Sequence, residues 1–546
     1  MTRGGVIFHH PGAFWFGVVA VTLGFAAHLP MYLMGKDMGY RLVGMPMDPL
    51  MVAGMAAIVA GLAASFYGLY PRTPAADAAA ARVRVRALDD APITPTHIGL
   101  LLAMAVGVTI DIMKPTTLAF VVPGMTQEYG LKSPLNPTGA VPAAYLPLAG
   151  ITGTVLGSFL WGSLGDRIGR RASILFAGLT FIATSICGAM PAFSWNLVMC
   201  FLMGIGVGGM LPIAYALMAE TIPARHRGWL MVLIGSDVAG AYLITSWLAV
   251  ELIPLYSWRM MWLIGAPTGV LFILLNRWIP ESPRFLLANG RAAEARAVMA
   301  RYGAVLVKDA GERPGAAVER DADATVRNHW RELVRPGVFG LTLVVAFLGI
   351  GSGLVLFGFN LWMPSNLRAL GFAEADAMLR NAALIGFPAT FVVAWLYGFW
   401  SSKKTVLTLT TLTAAALLGF VVGGNDVVHN RTLLYALLVV PIWGINSLVA
   451  VLSVYSAEIY PTRVRSRGTG LAAGASKAGG VLIIALVAFG IAAPSITGVA
   501  LIAAIPMLAA VAAVAMFGVE TRNRRLEEIT AEALQRAECP FGTLIG

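Results

Sequence analysis

Apolar stretches of about 20 residues follow one another along most of this chain, parted by short polar loops. A helix of roughly that length crosses the hydrocarbon core of a bilayer. About fourteen such stretches are legible, near 14–34, 50–70, 98–122, 142–163, 172–190, 196–218, 229–252, 260–279, 338–361, 381–400, 404–423, 432–454, 468–490 and 494–517. The pattern predicts an all-α membrane protein. Two helices form a hairpin over 1–71, and a cytoplasmic linker covers 72–96. Six spans over 97–279 and six more over 338–518 are separated by a polar cytoplasmic stretch, 280–337, and followed by a polar tail, 519–546.

The six-plus-six division rests on a phrase that occurs twice. Glu220-Thr-Ile-Pro-Ala-Arg-His-Arg227 closes one apolar run and Glu458-Ile-Tyr-Pro-Thr-Arg-Val-Arg465 another, with the glutamates 238 positions apart. That spacing is too long for a solenoid repeat and suits half of a membrane carrier, whose two similar bundles rock about a central site. A second echo agrees in order: Glu281-Ser-Pro-Arg284 follows the last span of the first half, and Glu520-Thr-Arg522 the last span of the second.

Composition narrows the picture. Of 546 residues 58% are hydrophobic and 12% charged, which leaves too little polar surface to cover a soluble globule. The net charge of +11 does not point to nucleic acid, because most of the 39 Lys and Arg fall in loops on one side of the predicted spans. By the positive-inside rule that side is cytoplasmic, and both termini belong there. Three cysteines and seven histidines show no metal or disulfide spacing. No nucleophile–base set or phosphate loop is visible, so neither an enzyme nor a cofactor is expected.

Between the second and third spans of the first half lies Gly162-Ser-Leu-Gly-Asp166-Arg167-Ile-Gly169-Arg170-Arg171. Glycines there allow close helix approach, and a carboxylate in such a turn can pair with arginine and with a helix N-terminus. This cluster, with Glu220, Arg227, Glu281, Arg284, Glu458 and Arg465, reads as a latch holding the halves together on the inner side. G-x-L-x-D-R-x-G-R-R resembles the signature loop of the major facilitator superfamily. Pro280-Glu-Ser-Pro-Arg-Phe-Leu286 is similar to the P-E-S-P-R-x-L of its sugar-porter-like and metabolite:proton symporter branches. The resemblance covers about residues 97–530 and implies the major facilitator fold: twelve core helices, alternating access and a central substrate site. The seventh core helix ends in Trp362-Met-Pro364 without the Gln pair of true sugar porters, which is more similar to carriers of aromatic and other organic acids. The acidic pair those carriers bear in the first core helix is here Asp111 and Lys114. A basic residue usual in the fourth is Cys200.

Ionisable groups inside membrane helices are costly and face a cavity or a partner. Asp111 and Lys114 share a helix face; Asp237 lies in the fifth core helix and Lys477 in the eleventh. Asp111 or Asp237 is expected to carry the proton, and Lys114 or Lys477 to hold a substrate carboxylate. Tyr145, Tyr215, Asn360, Trp362 and Asn446 are candidates for the pocket wall, with packing as the alternative role for each. The expectation is a monomeric, multi-pass carrier of the cell inner membrane that moves a small organic metabolite, a carboxylate by preference, with protons. An exporter, a facilitator and a transporter-like metabolite sensor are the rivals. The hairpin reads as a packing or assembly element, with a regulatory or partner-binding role as the alternative.

Overall fold

The computed structural model describes residues 2–3, 6–71, 91–208, 210–303, 333–424, 426–460, 465–490 and 495–522. Most of the expected linker, much of the 280–337 stretch and nearly all of the tail lie outside the described residues. A short antiparallel pair, Thr2–Arg3 with Val6–Ile7, precedes the helices. The hairpin is α1 (Pro11–Ala26), α2 (Leu29–Met34) and α3 (Pro49–Leu69). Next come α4 (Pro95–Tyr129), α5 (Tyr145–Ile168), α6 (Arg170–Thr184), α7 (Phe193–Val207), α8 (Met210–Thr221), α9 (Ala224–Gly235), α10 (Val238–Tyr256), α11 (Met260–Leu263) and α12 (Gly265–Leu275). Short α13 (Pro283–Ala288) and α14 (Ala292–Arg301) follow. The remainder is α15 (Pro336–Leu354), α16 (Leu361–Ala369), α17 (Ala375–Trp395), α18 (Ser402–Gly423), α19 (Asp426–His429), α20 (Arg431–Ile459), α21 (Arg465–Ala488) and α22 (Ile496–Phe517).

Among the described residues twelve helices are long and apolar enough to cross a membrane. The other two predicted spans are helical as well, as α5 and as α7 with α8; their apolar runs Tyr145–Trp161 and Phe193–Val207 are shorter. Helix starts follow the usual side-chain logic. Asp48 accepts from Leu50 N ahead of α3, Ser401 from Lys404 N ahead of α18, and Ser495 from Gly498 N ahead of α22.

Small residues set the helix spacing, as they do where lipid offers no hydrophobic drive to pack. In the hairpin, Gly17 and Gly24 of α1 face Gly61 and Gly54 of α3; a Cβ on Gly24 would lie 2.6 Å from the Gly54 carbonyl oxygen. In the first half a Cβ on Gly204 would sit 2.0 Å from the Gly150 oxygen. In the second, one on Gly353 would sit 1.9 Å from the Ser476 oxygen. The hairpin then docks on α6. Val21, Met31, Leu42 and Ile58 bury against Leu179, Ile182, Ile186 and Met190. It is also tied by hydrogen bonds at both ends. Leu42 N donates to Glu128 (2.9 Å), and Arg167 donates to the Tyr70 hydroxyl (2.9 Å).

Candidate functional site

Two clusters of polar groups stand out, one where the halves meet at mid-depth and one at the face bearing the Arg170 turn. Backbone irregularity places the first. Pro364 has no N–H to offer the preceding turn, and the chain just before it, Val355–Asn360, widens into a π-helical segment. Such segments concentrate at functional sites. This one turns Leu356, Phe357 and Asn360 toward α4, where Ile112, Pro115 and Thr116 complete a small cavity of about 70 Å³ with Tyr242 and Asn446.

The polar atoms round this cavity are short of partners. Both amide atoms of Asn360, the Tyr242 hydroxyl and the Asn446 carbonyl oxygen are buried with no hydrogen bond. Asp111, one residue from the lining Ile112, is 1% exposed, and neither of its oxygens is bonded. Lys114 and Lys477 are the cations whose charges act on it. Buried polar groups left unpaired cost on the order of 1–3 kcal/mol each, which makes this cluster the candidate site.

The lysines divide. Lys477 of α21 reaches across to α5, donating to the Ser158 hydroxyl and lying 3.4 Å from the Thr154 carbonyl oxygen. Lys114 turns into the first half: its ammonium stands 5.3 Å over the Phe181 ring, beside Ser185 and Gly265. Asp237 accepts from the Thr109 hydroxyl at the start of α10. Of the five candidate wall residues, Asn360 and Asn446 line this cavity. Tyr215 packs its hydroxyl on Gly235, Trp362 borders a separate cavity with Lys132 and Phe489, and Tyr145 opens α5 beside neither. Tyr242 and Thr116 went unmarked in the sequence; each is one hydroxyl in an apolar helix, and only the fold shows which way it faces.

At the other cluster, Gly169 precedes α6 with φ +96°, a conformation that favours glycine. A Cβ there would also stand 2.6 Å from a Glu281 oxygen. Glu281 receives Arg170 N (2.9 Å), Arg171 N (3.3 Å) and Ser282 N (3.0 Å), so it caps α6 where the helix dipole favours an anion. Burial nevertheless pushes its carboxyl up to about 7. Glu220 accepts from the Ser282 hydroxyl and pairs with Arg170 at 3.9 Å. Arg171 bonds Asn276, and Arg227 the Ile222 carbonyl oxygen. The second half repeats the plan. Glu520 accepts from Ser402 N (2.9 Å) and from the Ser401 and Ser402 hydroxyls at the start of α18. Burial opposes its charge, but these bonds hold it down to about 2. Glu458 accepts from Tyr397 and Thr521, 2.6 Å each. The chain just beyond the first copy of the repeated phrase meets the start of the second here, since a Cβ on Gly228 would stand 3.0 Å from Glu458. The side chains of Asp166, Arg284 and Arg465, and of Gly162's immediate turn, lie outside the described residues.

Apolar spanning helices, glycine-set packing and a cavity walled by both halves are the features of a multi-pass membrane transporter. The chain belongs to the family of sugar (and other) transporters, whose profile matches residues 140–533. The niacin transporter NiaP of Acinetobacter baylyi is 26% identical over 455 residues, covering 82% of this chain and 99% of that protein. The 4-hydroxybenzoate transporter PcaK of Pseudomonas putida is 26% identical over 391 residues, 69% of this chain and 82% of its own length. Among solved structures, the inward-open xylose transporter XylE of E. coli superposes with a TM-score of 0.60 at 17% identity, over 80% of this chain and 99% of that one. The fold is thus that of the major facilitator superfamily.

Proposed function

We propose that this chain is a proton-coupled symporter of a small organic carboxylate, working by alternating access across a cell inner membrane. Its core is two six-helix bundles, residues 97–279 and 338–518, with the 1–71 hairpin as an added two-helix element, both termini cytoplasmic and the protein a monomer. The observation that carries the reading is the cavity. It lies between the bundles, is walled by both, and gathers unpaired hydrogen-bonding atoms beside Asp111, a buried carboxylate set against the charges of Lys114 and Lys477. Named relatives that carry niacin and 4-hydroxybenzoate support an aromatic or similarly compact acid.

Asn360, Asn446 and Tyr242 orient the cargo. Asp111 exchanges a proton, and the binding of cargo and proton together favours closure because each offsets charge that the other would leave unpaired. Lys477 bridges the bundles, and Glu220, Glu281, Glu458 and Glu520 with their arginine, serine and threonine partners latch the inner face. The test is proton movement in proteoliposomes holding a pH dye, with monocarboxylates, aromatic acids, sugars and cationic drugs offered outside. Interior acidification with one carboxylate class, lost in Asp111→Asn, is the expected result. Saturable uptake without a proton signal would refute the coupling, and no carboxylate uptake would refute the substrate class.

A further inference from the structure

The face opposite the Arg170 turn carries a larger cavity, about 740 Å³, that the central site does not use. Three parts of the chain wall it: Lys36, Tyr40 and Arg41 from the hairpin loop, Phe120 and Trp258 from the first half, and Arg368 from the second. We propose that this is a capture vestibule for organic anions, with the hairpin loop as its basic wall. It rests on the carboxylate reading for the charge of the cargo and adds where that cargo is first held.

The charge balance supports it. Glu128 lines the cavity, but its negative charge is spent: it pairs with the fully buried Arg259 at 2.7 Å and also accepts from Trp258 Nε1 and Leu42 N. Arg368 is balanced by Asp376. Lys36 and Arg41 are exposed and have no ion-pair partner among the described residues. Asp37 and Glu374 are exposed neighbours but do not line the cavity. Among the residues that line the cleft the surplus is therefore two positive charges, and a cleft with low-dielectric walls concentrates counter-ions.

The loop is also built to hold its shape. Tyr40 adopts φ +61°, unusual for a residue other than glycine, and strain of that kind persists only where the surroundings over-determine it. They do so here. Tyr40 N donates to Gly35 O at 2.7 Å, the Tyr40 ring stacks on Tyr32 at 4.7 Å and meets Tyr256 edge-on, and the Tyr32 hydroxyl bonds the Tyr256 carbonyl oxygen at 2.8 Å. Leu42 N is fixed on Glu128. Lys36 and Arg41 thus flank a rigid turn that faces the second half across open space. Phe120 connects the two levels: it lines the vestibule, while its ring lies 5.8 Å from that of Tyr242, which lines the central cavity.

The test uses the full chain in proteoliposomes, with Ala373, an exposed lining residue, changed to cysteine and Cys539→Ser in the background; Cys187 and Cys200 are buried. Labelling rates are measured with an anionic sulfonate and a cationic trimethylammonium methanethiosulfonate, each normalised to its rate with a free thiol. Two uncompensated charges at low salt should favour the anion by ~3–10-fold, falling toward parity in Lys36→Gln/Arg41→Gln and at high salt. A ratio at or below parity, or one unchanged by the double substitution, overturns the vestibule. The same pair should raise the KM for 4-hydroxybenzoate several-fold with kcat unaltered. An unaltered KM in a variant that has lost the labelling preference overturns the capture role. Labelling requires no transport, so a preference for the anion without uptake refutes the transport reading and leaves the basic cleft standing.

Discussion

Lys477 of α21 donates its ammonium hydrogen to the Ser158 hydroxyl of α5, joining the two halves at mid-depth. The Ser158 hydroxyl has one proton to donate and two carbonyl oxygens to receive it, Thr154 at 2.8 Å and Gly208 at 2.9 Å, so the acceptor is held between its own helix and the end of α7. A charged donor bound to a fixed neutral acceptor is worth about 1.5–3 kcal/mol. That is enough to bias a rocking equilibrium by ten-fold or more. Ser158→Ala should shift the population away from the closed form, seen as a changed distance distribution between spin labels on the two halves. An unchanged distribution would assign the contact to packing alone.

Asp111 offers the sharpest test of coupling. Its oxygens have no donor, and its charge is set against Lys114 and Lys477. Asp111→Asn keeps the shape and removes the titration. Proton-driven accumulation should disappear while substrate exchange at equal concentrations continues. Accumulation that survives would move the proton to Asp237, the other membrane-embedded acid singled out by the sequence.

The cavity wall predicts a different kinetic signature. Tyr242→Phe and Asn360→Ala each remove a hydrogen-bonding group that has no partner within the protein. Fold stability should hold or rise slightly, since an unpaired buried group is lost. Apparent affinity should fall roughly 3–100-fold, the range for one bond to a neutral or charged cargo. Thermal melting with and without substrate separates the two effects. Loss of melting temperature with unchanged affinity would mean a packing role.

Glu281 predicts a pH effect at the Arg170 face. Burial raises its folded-state value from 4.5 to about 7, so between those values the folded protein holds a proton that the unfolded chain releases. Stability from this group is full below about 4.5 and is lost as pH rises through about 7; the change is on the order of 3 kcal/mol. Melting temperature measured from pH 5 to 8.5 should fall more steeply in the wild type than in Glu281→Gln. Parallel curves would show that the carboxyl does not titrate there.

Two glycines make a matched pair for packing. A Cβ on Gly204 would stand 2.0 Å from a backbone oxygen of α5, whereas one on Gly474 meets nothing within 4 Å. Gly204→Ala should lower stability by several kcal/mol or prevent folding, because backbone cannot yield as a side chain can. Gly474→Ala should be neutral or gain about 0.5–1 kcal/mol from helix propensity. Equal losses would refute the close approach of α5 and α7.

Much of this molecule was written in its periodicity. Runs of about 20 apolar residues located helices at every predicted span, because in lipid the backbone must satisfy itself within each segment. The repeated phrase pointed to one face, and there Gly228, the residue just after the first copy, does meet Glu458, which opens the second. The glycines at positions 17 and 24, and 54, 61 and 68, repeat every seven residues and forecast the hairpin seam, a signal that went unread. The site was less legible. Charge drew attention to Asp111 and Lys114 as one face, yet helical spacing does not say where a long side chain ends, and Lys114 turns toward Phe181. Tyr242 was invisible among apolar neighbours, and the π-helical turn that aims Asn360 has no signature beyond the following proline.

The size of the central cavity has a consequence for the idle protein. At about 70 Å³ it has room for some two waters, each taking roughly 30 Å³ in the liquid. Hydronium and small cations travel along unbroken files of water, and two molecules walled by Leu356, Phe357 and Ile112 do not make such a file. In the proposed cycle, a centre this tight interrupts the water file between the halves, and the gradient that drives transport is not drained between turnovers.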